Sequence, residues 1–404
     1  MIDLSRFLHF MLGFGTLLPD VFKTTGAESL GAAGSIPVHL RHHPPRRPGL
    51  TWSALQDEYS AQRPEWMVGR RGFRMKYRTI GSDPNTRREV SVLSLGAMLF
   101  GTTTDETTSY AILDRFVEAG GTFIDTANNY AYWVNGTQGG ESEALLGRWR
   151  RSRGVTDEIV IATKLGGRPN APATGLSHDL EGLSAQVIRE SSERSRERLG
   201  VDKLDLLYAH AYLEGSKVPL EETVEAFAGL VENGTVGLLG ASNHWAWRLE
   251  RARNLAAAAG LPGYEVLQYH HSYLRPRTDL PTLRSKDGNL GVVGGNLLSY
   301  LRAEPELTLV AYSPLLGGGY VRDDKPLDAA FDHPGTARRL EALREVAKET
   351  GATANQVVLA WLMGGEIPMI PLVGASSVEQ LEESLAAVDL ELTAEQRAKL
   401  DAAY

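Results

Sequence analysis

The chain has 404 residues, 42% hydrophobic and 23% charged, a composition that can bury a substantial core and excludes a wholly disordered protein. A formal net charge of -8 leaves no broad basic surface to neutralise phosphates, so nucleic acid is not expected as a partner. The absence of cysteine excludes disulfides, thiolate metal sites and a cysteine nucleophile, and suits a reducing, cytoplasmic setting.

Residues 1–74 read as an N-terminal extension, and a single domain is expected over 75–404. Pro44, Pro45 and Pro48, the run Arg41-His42-His43, Arg46-Arg47 and Arg70-Arg71 leave little periodicity, so the extension is expected to be disordered or to lie upstream of the natural start. The apolar stretch from Phe7 to Phe22 follows Arg6. It is broken by His9, Gly13, Gly15, Pro19 and Asp20, and it is shorter than the about 20 residues of a membrane span. Neither export nor a membrane anchor is expected.

From Met75 the pattern becomes regular. Met75–Ile80 and Glu89–Val92 predict a small hairpin. Strands are then predicted at Leu93–Met98, Thr122–Thr126, Ile159–Lys164, Leu204–His210, Val236–Ser242, Val266–His270, Thr308–Ser313 and Met369–Val373. Helices are predicted between and after them at Thr107–Glu118, Ser142–Arg151, Leu183–Leu199, Leu220–Glu232, Arg248–Ala259, Ala337–Glu349, Ala354–Met363 and Val378–Ala387. A closing helix follows at Thr393–Leu400, where Thr393 and Gln396 form a capping box. Residues 271–296 are rich in proline and glycine and predict a long loop or lid. Strands each trailed by a helix make a (β/α)8 TIM barrel, whose active site lies at the carboxyl ends of the strands.

Those ends carry the polar residues of interest. The second strand ends in Ile124-Asp125-Thr126 and turns into Asn128-Asn129-Tyr130, the third ends in Ala162-Thr163-Lys164, and the fourth in Tyr208-Ala209-His210. Each has a structural reading in isolation: Asp125 capping a loop, Lys164 a lone strand-end charge, His210 a satisfied core histidine. Strand-end placement would bring them into one small volume, with Tyr130 reaching in from its loop. His270-His271 raises the question of a metal, but no carboxylates or cysteines stand at ligand spacing, so no metal is expected.

The stretch Gly120-Gly121-Thr122-Phe123-Ile124-Asp125-Thr126-Ala127-Asn128-Asn129-Tyr130 resembles the aldo-keto reductase signature, in which Asp and Tyr stand five positions apart. Ala162-Thr163-Lys164 and Asp205-Leu206-Leu207-Tyr208-Ala209-His210 resemble the Lys and His motifs of that family, and the resemblance runs from about Met75 to the end of the chain. It implies hydride reduction of an aldehyde or ketone, with Tyr130 as general acid and base, Lys164 and Asp125 assisting it, and His210 orienting the carbonyl. The chemistry agrees with these roles. Carbonyl reduction builds negative charge on oxygen, a free phenol has a pKa of about 10, and an adjacent ammonium favours the phenolate.

No Gly-x-Gly-x-x-Gly follows an early strand, so a Rossmann domain is not indicated. By resemblance, Ser242, Asn243 and Gln268 hold the nicotinamide carboxamide, and Tyr312 stacks on the ring with Ser313 and Leu315 beside it. At the helix start after the last strand, a natural seat for a phosphate, Gly374 permits close backbone approach; Ser376 and Gln380 resemble family contacts near the adenosine 2′-phosphate, Glu383 its adenine contact, and Ser384 stands where many members have Asn. NADP(H) is the expected cofactor, although no Lys or Arg lies between Pro371 and Leu385 to pair with that phosphate. Tyr132, Trp133 and Trp245 are expected to line the mouth and to favour ring-bearing carbonyl substrates. The alternative within the resemblance is a cofactor-binding regulatory subunit of a channel, with little turnover. Some of those subunits replace the histidine, and His210 is present here.

Overall fold

The computed structural model describes residues 74–403 apart from 135, 174–176, 178, 281–287 and 289. The expected extension, but for residue 74, and the Phe7–Phe22 stretch lie outside the described residues. The predicted hairpin is present: β1 (Tyr77–Ile80) and β2 (Arg88–Ser91) pair antiparallel, Tyr77 opposite Ser91 and Ile80 opposite Arg88. It sits across the amino-terminal ends of the strands that follow. Tyr77 donates to the carbonyl of Gly120 at 2.9 Å, and the backbone N–H of Ser82 donates to Glu265 at 2.7 Å. Ile80 and Val90 are fully buried in the same core cluster as Phe123, Leu206, Leu238 and Val310.

Eight strands close a parallel barrel in chain order: β3 (Ser94–Gly96), β4 (Phe123–Asp125), β5 (Val160–Leu165), β6 (Leu204–Ala209), β7 (Val236–Ser242), β8 (Val266–His270), β9 (Thr308–Tyr312) and β10 (Ile370–Gly374), with β10 returning to pair with β3. Around them run α1 (Glu106–Glu118), α2 (Glu141–Arg153), α3 (Ala185–Leu199), α4 (Leu220–Glu232), α5 (Ala246–Ala258), α6 (Gly295–Ala303), α7 (Pro334–Thr350), α8 (Ala354–Met363), α9 (Val378–Ala386) and α10 (Ala394–Asp401). Strands covered by helices outside and packed side chains inside read as continuous apolar runs. Val160–Leu165 and Val236–Ser242 are accordingly buried along their whole length. On α4 the buried Leu220, Thr223, Val224, Phe227 and Ala228 recur at the three- and four-residue spacing of one helical face.

Caps mark the helix starts. Asp105 accepts from the N–H of Thr108 before α1, and both Thr353 with Gln356 and the predicted Thr393 with Gln396 form capping boxes. α6 is the helix that the sequence reading lacks. It begins at Gly294-Gly295 with no side-chain cap, inside the span taken as loop, and only Leu297 and Leu301 are buried along it. No helix among the described residues is long and apolar enough to cross a membrane.

Alternation along the strands decides what faces the barrel interior. Phe123, Val160, Ala162, Leu206, Leu238, Val266 and Val310 fill it, and two residues further along their strands stand Asp125, Lys164, Tyr208 and Gln268. Gly240 on β7 makes room in this layer. A methyl there would meet the Tyr208 ring and lie 2.7 Å from the carbonyl of Val266.

Candidate active site

Asp125 ends β4, Lys164 lies one residue before the end of β5, and both side chains are buried. The Lys164 ammonium donates to Oδ1 of Asp125, to the carbonyl of Thr126 at 2.7 Å and to the Tyr130 hydroxyl at 2.7 Å. These contacts account for its three protons. The Tyr130 hydroxyl lies 3.4 Å from the same Oδ1, and Nε2 of Gln268 donates to Oδ2 at 2.7 Å. Burial pushes the Asp125 carboxyl above its usual range and the Lys164 ammonium below its own, while their mutual attraction opposes both shifts. A buried ion pair is tenable when its remaining lone pairs and protons are also hydrogen-bonded, as they are here.

The loop carrying Tyr130 is anchored from several sides. Thr126 and Asn128 donate their N–H groups to Ala162 and Lys164 on β5, and the Asn129 amide donates to the carbonyl of Gly167 at 2.8 Å. Ala131 takes a left-handed φ of 64°, which turns the chain directly after Tyr130. Tyr130 is 7% exposed, with the Lys164 ammonium 4.6 Å from its ring centre. His210, just past β6, presents its ring edge-on to Tyr130 with centroids 6.0 Å apart. The four residues read from the strand ends therefore share one volume.

The residues proposed by resemblance for the cofactor fall into two groups. Ser242 and Gln268 are paired on β7 and β8 and face inward, as does Tyr312 on β9. The Asn243 amide donates to Ser242 Oγ at 2.8 Å and to the His210 carbonyl at 3.0 Å, and accepts from the Tyr312 hydroxyl at 2.8 Å. Asn243 and Ser313, each the first residue after its strand, hold left-handed φ values of 56° and 52°. Such non-glycine conformations persist only where the surroundings over-determine them. Leu315 follows at the start of the next turn.

The second group is at the start of α9. Gly374 and Ser376 are exposed, and the N–H and hydroxyl of Ser376 both donate to Oε1 of Gln380, at 2.9 and 3.0 Å. Glu383 accepts from Thr353 Oγ1 at 2.8 Å and from the Asn355 amide, at the start of α8. Ser384 is buried and bonds back to the carbonyl of Gln380.

In the loop after β4, the buried Tyr132 meets Trp133 edge-on at 5.1 Å, and Trp245 is the residue preceding α5. Trp247, 58% exposed in the first turn of α5, adds an aromatic the sequence reading did not single out. His270 and His271 are buried beside Tyr312 and Trp361. Among the described residues no group of three or more metal-ligating side chains is placed to hold an ion. His244 donates through Nδ1 to the carbonyl of Ser242 at 2.8 Å, and burial pulls its pKa down to about 4.

Two supporting carboxylates escaped the sequence reading. Glu143 on α2, fully buried behind Lys164, accepts from Thr163 at 2.6 Å and from Arg198 at 3.0 Å. Glu181 accepts from Asn128, from the N–H of Gly166 and from Ser191, which joins the loops after β4 and β5 to α3. Glu141 and Glu143 mark a helix start in the sequence, but nothing there singles out Glu181.

A parallel barrel with an Asp–Lys–Tyr cluster and a histidine at its strand ends has the make-up of an oxidoreductase, and its relatives are named as such. The chain is 32% identical over 333 residues to an uncharacterised oxidoreductase, YrpG, of Bacillus subtilis strain 168, covering 80% of this chain and 93% of the relative. It is 31% identical over 335 residues to norsolorinic acid reductase A of Aspergillus parasiticus, covering 79% of each. An aryl-alcohol dehydrogenase of Pestalotiopsis microspora is 27% identical over 334 residues, 80% of each chain. The chain belongs to the aldo/keto reductase family, whose sequence model matches residues 92–404.

Proposed function

We propose that the protein is an NADP(H)-dependent reductase of aldehydes and ketones in which Tyr130 delivers the proton. The observation that carries this reading is the Lys164 ammonium donating at once to the Tyr130 hydroxyl and the Asp125 carboxylate inside the barrel. NADPH held by Ser242, Asn243, Gln268 and Tyr312 would supply the hydride. As charge grows on the carbonyl oxygen, the Tyr130 hydroxyl passes its proton there and Lys164 stabilises the phenolate left behind. Asp125 keeps the ammonium oriented, and His210 donates to the same oxygen to fix the carbonyl's angle. Burial of the cluster strengthens each of these interactions relative to water.

The donors present fit such a cofactor. Oε1 of Gln380 rests on two Ser376 donors at the start of α9, where a phosphate oxygen would find the same donors and a favourable helix dipole. With neutral donors and no cation, preference for the 2′-phosphate should be modest. Tyr132, Trp133 and Trp245 support ring-bearing substrates, as does the name of one relative, an aryl-alcohol dehydrogenase.

Oxidation of NADPH by a panel of aromatic and aliphatic aldehydes, with dissociation constants for NADPH and NADH, tests this reading. Steady turnover and tighter NADPH binding are expected. Binding without turnover would favour a regulatory cofactor-binding barrel, and equal or tighter NADH binding would overturn the NADP(H) assignment.

A further inference from the structure

Gln268 resembles a family residue that holds the cofactor, and its amide also reaches the acid. Nε2 donates to Oδ2 of Asp125 at 2.7 Å, while Oδ1 receives Lys164 and Tyr130. Gln268 is 2% exposed and Tyr208 is fully buried, its hydroxyl beside Gln268 and Asp125. The space for the Tyr208 ring exists because β7 carries Gly240 at that level. A carboxylate taken out of water needs a donor on each oxygen, or it takes up a proton instead.

We propose that Gln268 is a positioning residue for the acid, holding Asp125 ionised and aligned with Lys164 so that the ammonium stays on the Tyr130 hydroxyl. This rests on the reading of Tyr130 as the proton donor. The titratable groups facing Asp125 are Lys164 on β5, Tyr130 on the loop and Tyr208 on β6, with Glu143 of α2 behind Lys164. The donor on Oδ2 is the neutral amide, so its removal acts on Asp125 before any other group.

Two variants of the full chain, Gln268→Leu and Gln268→Glu, separate this role from cofactor anchoring. Losing one hydrogen bond to a charged group moves the acidic limb of kcat/KM upward by about one to two pH units in Gln268→Leu, whatever the change in the NADPH dissociation constant. In Gln268→Glu the protonated acid can still donate to Asp125 at low pH. Once ionised it repels that carboxylate, so turnover falls as pH rises.

A third readout needs no turnover. Asp125 protonates at low pH, so the deficit in thermal midpoint of Gln268→Leu against the parent is largest in alkali and shrinks in acid. A deficit constant across pH would make Gln268 a packing residue. A large loss of NADPH affinity with an unmoved pH profile would make it a cofactor anchor alone. Either result overturns the proposal. An inactive parent chain would sink the reductase reading and leave the thermal comparison standing.

Discussion

Replacing Lys164 by Met removes the charge at the centre of the site and keeps much of the side-chain volume. Asp125, 1% exposed, would then keep Gln268 and Tyr130 as donors but lose its cation. Removing one partner of a buried ion pair costs about 3–5 kcal/mol, because the other charge stays buried and uncompensated. Burial already favours the protonated carboxyl, so the variant can escape the penalty by taking up a proton. That escape weakens by about 1.4 kcal/mol for each pH unit above the pKa of the carboxyl. The destabilisation should therefore be greatest in alkaline solution and shrink on acidification. Lys164→Met combined with Asp125→Asn removes the stranded charge and should regain most of the stability but none of the turnover. Denaturant unfolding of parent, single and double variants at two pH values measures both effects. Less than about 0.5 kcal/mol lost by Lys164→Met in alkali, the range of an ordinary surface change, would refute the buried pair. So would a double variant no more stable than the single one.

His244 has a folded pKa of about 4 against an ordinary 6.5, so the unfolded chain binds its proton first as pH falls. Stability should be full above pH 6.5 and decline through the window down to about pH 4, by about 3 kcal/mol. His244→Asn keeps a donor for the Ser242 carbonyl but takes no proton, so its thermal midpoint should fall less steeply with acid; an unchanged slope would contradict the assignment. Gly240→Ala should lose about 1–3 kcal/mol, the usual penalty of overpacking, together with turnover as Tyr208 shifts; a neutral result would mean that the ring has room to move. Deleting residues 1–66 should leave thermal midpoint and turnover nearly unchanged, since regular patterning begins at Met75, and a large loss of either would mean that the segment packs on the barrel.

The barrel was legible because each strand is a short apolar run, most of them followed by a helical pattern, and observed strand ends fall within about two residues of the predicted ones, the usual fraying of such boundaries. Asp125, Lys164 and His210 were legible for the same reason, since a strand end in a parallel barrel is a position in space as well as in sequence. α6 was not, because a glycine pair without a capping side chain gives no start signal. Residues acting through tertiary contacts were equally silent. Glu181 joins two loops and a helix from an irregular stretch, and Glu143 reaches Thr163 and Arg198 from the buried face of α2. Gln268 was found by resemblance, but its hydrogen bond to Asp125 depends on inward alternation across several strands.

The central claim is that the Tyr130 hydroxyl supplies the proton, and Tyr130→Phe tests it most directly. The ring and its neighbours are kept, the oxygen 2.7 Å from the Lys164 ammonium is lost, and Ser242, Asn243, Gln268 and Tyr312 are untouched. Steady-state reduction of an aromatic aldehyde and NADPH titration, run side by side, separate chemistry from cofactor binding. The account predicts a fall of about 10²- to 10⁴-fold in kcat and kcat/KM alike, with the NADPH dissociation constant nearly unchanged. Retention of more than about a tenth of the parent turnover, too much for loss of an essential acid, would contradict it.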